Sequence, residues 1–453
     1  MEKTKQNLKI IALTLAALGA LSGAVEGQDG GLSPTDETAE EIRTDQAEAR
    51  DEPRRRIVTR EQIREHQNPL AEALMKPFRA IAPAVTDRVT RFEENREYRF
   101  LFGVGGNLPV SPVFGSSSPG AGFGVGFTAS TKDYISKDFR LTASSIVSFS
   151  GYIDSAAGFG LTPSSLEKRD VALRVEAFQS VRPKEDYFGA GPNSFRSARS
   201  TFFHRETGLR ANGSVKLGKD YRAGGFASVS RNDITDGSDA RGAPIGSVYK
   251  PGSLPGFGGN IRLLEIGGFF QADRTDEPEY PRAGWFARVS LSASKGLGKS
   301  DHSWRTFEID SRGYVPLGSK DRVIALRFLG SFRDPSNGSG IPFFRLSRLG
   351  DGDTLRGYET HRYRGASSVH LSVEYRYKLI QGIETGGLRG MDAVFFGDFG
   401  QVYDRLGDLK WGNIQTTWGG GVQFLSAKRV TFAILYAQSP EGGGMIFRTG
   451  KTF

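Results

Sequence analysis

The chain has 453 residues, a formal net charge of +9 and a mean hydropathy of −0.38. Beyond the first 24 residues no apolar run approaches the roughly 20 residues a spanning helix needs, which argues against a helical membrane protein. Cysteine is absent, so disulfides, thiolate metal sites and cysteine nucleophiles are excluded. The basic excess is spread along the chain rather than gathered into the face that nucleic acid requires, so no nucleic-acid partner is expected.

At the N-terminus Lys3, Lys5 and Lys9 precede an apolar stretch from Ile10 to Leu21, followed by Ser22-Gly23-Ala24. A basic start, a short apolar core and small residues at its end predict a secretory signal over residues 1–24, cleaved after Ala24. An uncleaved anchor is the alternative. Residues 25–95 read as a separate periplasmic segment. Up to about Asp51 they are dense in Asp, Glu and Arg, a composition that cannot bury a core and is expected to be flexible. Between Arg60 and Ile81 a helical stripe runs through Ile63, Leu70, Leu74, Phe78 and Ile81, limited by Pro69 and Pro77. Plug and tether are both compatible with it. Every aromatic residue of the chain (32 Phe, 14 Tyr, 4 Trp) lies after Pro77.

From residue 96 onward strand signals recur. Leu141, Ala143, Val147 and Phe149 alternate with Thr142, Ser144 and Ser148; Trp285, Ala287, Val289 and Leu291 alternate with Arg288, Ser290 and Ser292. From Val369 the pattern is clearest. Val369, Leu371, Val373, Tyr375, Tyr377 and Leu379 face one way, and His370, Ser372, Glu374, Arg376 and Lys378 the other. One face is wholly apolar and aromatic; the opposite face carries both signs of charge. Repeated along a chain, that pattern predicts a membrane barrel with a wet interior. Connections are of two kinds: tight ones such as 318–321 and 218–220, and long Gly/Ser/Pro-rich ones such as 234–259 and 334–366. The predicted fold is therefore all-β, a single transmembrane antiparallel β-barrel over residues 96–453. About fourteen strands are distinct, the stretch from Asp154 to Arg199 is ambiguous, and even-numbered closure favours fourteen or sixteen. The chain ends in Phe453, read as the terminal aromatic through which the barrel assembly machinery engages the last strand.

The stretch Phe343-Phe-Arg-Leu-Ser-Arg-Leu-Gly-Asp-Gly-Asp-Thr-Leu-Arg-Gly-Tyr358 resembles the inward-folding loop of the bacterial surface antigen barrels, the superfamily of BamA, TamA and FhaC. Five strands follow it, at 367–380, 391–404, 412–426, 429–438 and 444–453, and the second of them carries Phe396-x-Asp398-x-Gly400, similar to that family's strand. Tyr187-Phe-Gly-Ala-Gly-Pro192 resembles a glycine turn of the patatin-linked members. The resemblance implies sixteen strands, with the loop over 334–366 lying between the eleventh and twelfth. It implies that Arg356 enters the lumen and meets Asp398 and Glu374. Gly357, Tyr358 and Gly400 complete the predicted loop lock. Two modules found in family members leave no trace here: residues 25–95 show no POTRA-like strand pattern, and no patatin domain is present.

Motifs of covalent chemistry are wanting. No Gly-x-Ser-x-Gly elbow occurs, and Gly298-Lys-Ser300 lacks the earlier phosphate-loop glycine because Ala293 stands there. Asp351-Gly-Asp353 begins like a calcium loop without its later ligands, and the five histidines show no metal spacing. The chain is thus expected to be an outer-membrane barrel without cofactor, acting in transport or assembly of protein or lipid, with outer-membrane lipid as its surroundings. A porin-like or structural channel is the alternative. An outer-membrane phospholipase using Ser and His of the barrel wall is a remote third.

Overall fold

Alternation of this kind buries polar side chains on one face of each strand, and neighbouring strands must supply the missing backbone partners. The computed structural model describes residues 110–449, apart from 116–117, 132–137, 163–169, 238–241, 251, 253, 337–339, 386–387 and 426–429. The predicted signal, the 25–95 segment and Phe453 lie outside the described residues.

The strands are β1 (Val110–Gly115), β2 (Gly124–Ser130), β3 (Phe139–Ser148), β4 (Ile153–Leu161), β5 (Ala172–Tyr187), β6 (Ser200–Leu217) and β7 (Tyr221–Asp236). Next come β8 (Ala243–Pro244), β9 (Asn260–Asp273), β10 (Gly284–Leu297), β11 (Ser303–Leu317) and β12 (Ser319–Pro335). The series ends with β13 (Ser347–Leu349), β14 (Tyr363–Gly365), β15 (Ser367–Thr385), β16 (Leu388–Tyr403), β17 (Gln415–Leu425), β18 (Val430–Ser439) and β19 (Gly442–Thr449). Apart from β8, β13 and β14 they form one antiparallel meander in which each strand pairs with the next, sixteen strands in all. The two-residue β8 adds in parallel to β6, and β13 with β14 makes a separate ribbon. Among the described residues no ladder joins β19 to β1.

The stretch left ambiguous by the alternation resolves into β4 and β5. Five strands follow the 336–366 loop, as the resemblance implied. The alternation from Val369 holds to Tyr377 and then breaks, because the register shifts between Lys378 and Ile380. Long connections at 188–199, 237–259, 336–366 and 404–414 share one rim, while 218–220 and the single residue 318 lie on the other. Residues 274–283 are a long connection on the short-turn rim. They fold back so that buried Arg282 meets Asp392 of β16 at 2.6 Å, and the Asp276 carboxylate accepts the backbone N–H groups of Arg282 and Ala283.

Burial is inverted relative to a water-soluble protein. Leu209, Leu291, Phe395 and Trp418 stand outward and exposed, whereas Glu374, Asp398, Arg356, Arg364 and Arg376 are buried. A soluble domain rarely presents so many large apolar side chains together, and a bilayer covers such a surface at no cost. At 14 to 19 residues, strands β5 to β16 of the meander exceed the roughly 9–11 that a tilted strand needs to span. The wall therefore continues past the hydrocarbon zone. An aromatic core forms around Phe343, whose ring packs edge-on to Tyr187 at 5.2 Å and to Phe202 at 4.9 Å. Such pairs add about 0.5–1.5 kcal/mol each beyond area burial.

Candidate functional site

Over residues 340–366 the loop does not stay on the rim; Arg348, Arg356 and Arg364 reach inward-facing side chains of the strands. Its start and end pair as a short ribbon, Ser347 with Gly365, Arg348 with Arg364 and Leu349 with Tyr363. Between these arms the chain turns sharply, and Leu355 (φ 47°), Gly357 (φ 97°) and His361 (φ 57°) all take left-handed backbone conformations. Two such conformations in non-glycine residues are held against their intrinsic cost by surrounding contacts, a feature concentrated in functional segments.

Those contacts centre on Arg356, which is 2% exposed. Its Nε donates to Asp398 Oδ2 at 2.8 Å and its Nη2 to Asp398 Oδ1 at 2.7 Å, a two-pronged grip matching guanidinium to carboxylate geometry. Nη1 donates to Glu374 Oε1 at 2.5 Å, and Nη2 also reaches Ser372 Oγ at 2.8 Å. The backbone N–H of Arg356 donates to Asp398 Oδ2 at 3.0 Å. The face of the guanidinium lies 3.6 Å from the Phe396 ring centre. The second oxygen of Glu374 accepts from Arg376 Nε and Nη2 at 3.0 and 2.9 Å, and Thr417 donates to Asp398 at 3.3 Å. Every charge in the group has a partner of opposite sign, which is what makes its burial tolerable. The two carboxylates beside it raise the Arg356 pKa above its ordinary value despite the opposing effect of burial.

The remaining predicted residues find specific surroundings. Gly357 sits against β18, where an added Cβ would lie 3.2 Å from Ala437, and its carbonyl accepts from Ser439 Oγ at 3.2 Å. Gly357→Ala is expected to cost about 1–3 kcal/mol, through positive φ and this close approach together, measurable as a lower temperature for loss of heat-modifiable gel migration. The Tyr358 and Tyr363 hydroxyls both donate to Gln415 Oε1 at 3.1 Å. Gly400 is the floor on which the loop's Leu349 and Leu355 rest; a Cβ there would meet their methyls at 3.1 and 3.4 Å. His370 lies beneath the loop, its Nε2 accepting the Leu355 backbone N–H at 3.2 Å. Phe453 is outside the described residues.

A second attachment holds the other arm, on residues the sequence reading did not single out. Glu185 of β5, 4% exposed, accepts from Arg364 at 2.7 Å and Arg348 at 3.2 Å, and lies 3.3 Å from His361 Nδ1. The nearby glycine turn joins in: Gly191 N–H donates to the Arg364 carbonyl at 2.7 Å. Alternation misplaces Glu185. Glu176 and Ser180 face inward, so an odd-numbered residue would face out, but a bulge between Arg182 and Glu185 reverses the parity. Further ties run to the last hairpin, where Arg362 grips Glu441 at 2.7 Å and Arg448 meets Asp353 at 2.6 Å.

His361 gives this attachment a pH dependence. Burial, reinforced by the positive charge of Arg348, lowers its pKa from 6.5 to about 4. The folded value is below the free one, so the released loop takes up more protons between those limits. The contribution of His361 to holding the loop is full above about pH 6.5 and falls away as pH drops toward about 4. Protease protection of residues 336–366 should decline over that window, and His361→Gln should flatten the decline.

The fold and this lock define a class: an outer-membrane barrel with a long loop anchored inside its sheet. The Omp85 superfamily domain matches residues 120–453, and the chain belongs to that superfamily. BamA from Haemophilus ducreyi lacking POTRA domains 1-3 superposes with a TM-score of 0.57 at 13% identity, covering 75% of this chain and 69% of that one. CdiB from Acinetobacter baumannii (TM-score 0.43, 10% identity) and from Escherichia coli (TM-score 0.45, 12% identity) are similar over 75% of this chain. The present chain spans 58% and 59% of those two, under two thirds of their length. A search of curated proteins returns no match.

Proposed function

We propose that the chain is an outer-membrane transport or assembly barrel for protein or lipid cargo, acting without covalent catalysis, with the 336–366 loop locked inside. The observation that carries this reading is Arg356, a buried guanidinium on the loop held by carboxylates on two successive strands. A barrel serving as a passive hole has no need of so costly an arrangement, whereas a loop fastened by charge pairs can be held or released as cargo engages. Residues 1–24 are proposed as a cleaved export signal, 25–95 as a periplasmic segment and 96–453 as the barrel. Bilayer lipid surrounds it, and the assembly machinery receives it through the last strand ending in Phe453.

Planar-bilayer recording of the purified protein, with and without residues 25–95, tests the reading. Small, flickering steps are expected from a lumen occupied by its own loop. Large stable steps would transfer the assignment to a porin-like channel. Recovery as a soluble periplasmic protein on fractionation would remove both.

A further inference from the structure

A cavity of about 510 Å³ lies inside the sheet, between the loop and the inner faces of β10, β11 and β12. Four arginines line it: Arg288 and Arg333 from the wall, Arg345 and Arg348 from the loop. Three carboxylates also reach it, two of them already engaged by other groups. Asp310 is already gripped by Arg312 and Arg327, each through two hydrogen bonds of 2.5 to 3.2 Å. Asp351 accepts the backbone N–H groups of Asp353 and Thr354 at 2.6 and 2.7 Å. Glu308 makes a long ion pair with Arg333 at 3.9 Å, beyond hydrogen-bond distance, and accepts from Ser290 and Ser331 at 3.5 Å, so it leaves the other three arginines unneutralised.

The arginines themselves are incompletely used. The Nε of Arg333 and the Nε of Arg345 are both buried, and neither has a hydrogen-bond partner among the described residues. Arg345 spends its Nη2 on Glu206. Among the described residues Arg348 has only a share of Glu185, which Arg364 holds more closely. Guanidinium groups in one cavity with unspent donors are costly unless an anion joins them, and their planar forks fit the oxygens of phosphate.

We propose that this cavity is a binding site for a phosphate-type oxyanion, held by Arg333, Arg345 and Arg348. The inference is independent of the transport reading, since it concerns the occupancy of the lumen and not its cargo. The phosphate can be a free ion or the terminal group of a larger molecule such as a lipid headgroup. Both sources present the same doubly charged oxygens, and Ser290, Ser331, Ser347 and Ser368 around the cavity add hydroxyls able to share the load.

Titration calorimetry on the refolded full chain, with inorganic phosphate in one arm and glycerol 3-phosphate in the other, tests this at moderate salt. One saturable site is expected, weakened at least tenfold in Arg333→Gln/Arg348→Gln and kept in Arg231→Gln, a change away from the cavity. If the double variant fails to fold, Arg348→Gln alone is read, because its side chain opens onto the cavity, and Arg348→Lys should recover part of the loss. Tighter binding of glycerol 3-phosphate assigns the headgroup source; equal or weaker binding assigns the free ion. Absence of saturable binding in both arms, or binding untouched in the folded variants, overturns the proposal.

Discussion

Arg356→Ala is expected to free the central turn of the loop while leaving the barrel assembled. The substitution removes every side-chain bond to Asp398, Glu374 and Ser372 and leaves the Asp398 carboxylate buried, among the described residues, with only neutral donors: Ser372, Thr417 and the residue-356 backbone N–H. Breaking one side of a buried pair costs on the order of 3 kcal/mol, because the stranded charge keeps its desolvation penalty. The strand ladders do not pass through Arg356, so heat-modifiable migration should persist. Protease cleavage within 350–361 and the character of the bilayer conductance should change together. Asp398→Ala should act in the same direction. If both variants leave loop protection and conductance unaltered, the charge group does not fasten the loop, and the transport reading loses its main support.

The second large effect is expected at Glu185. Arg364 is fully buried, and among the described residues two of its nitrogens are without hydrogen-bond partners and Glu185 is its one carboxylate. Glu185→Gln would leave Arg364 and Arg348 clustered beside neutral His361 without a counter-charge, at a cost of about 3–5 kcal/mol. Cleavage should then appear near 361–365, at the opposite arm of the loop from that exposed by Arg356→Ala. Because the two groups share no partner, the effects should be close to additive, and the double variant should lose protection across the loop. Equal cleavage patterns in both single variants would mean that the loop has one fastening and not two.

These attachments differ in how far the sequence announces them. The resemblance implied that Arg356 enters the lumen, and Asp398 and Glu374 could be assigned to it because the strands carrying them alternate cleanly, so inward residues can be counted. Phe395 and Phe399 outside leave Asp398 inside by parity alone. Strand β4 carries Ala, Gly and Ser over much of its length, which gives little contrast between faces, and its boundaries were not readable. Glu185 was hidden by a bulge, which inverts parity without any residue type that marks it. The Arg362–Glu441 and Arg448–Asp353 pairs join segments 79 and 95 residues apart, and nothing local in either partner specifies the other.

Counted along the meander, β5 is the fifth strand and β16 the thirteenth of sixteen, so the loop bolts together two staves eight positions apart. Strand number and ladder stagger set how wide such a sheet closes, but they do little to keep its cross-section round. A strand sheet this wide is stiff along its staves and soft across them. The loop, gripping Asp398 on one stave and Glu185 on the other, works as a spoke, and a spoke between distant staves is expected to resist the flattening to which the wall alone would yield.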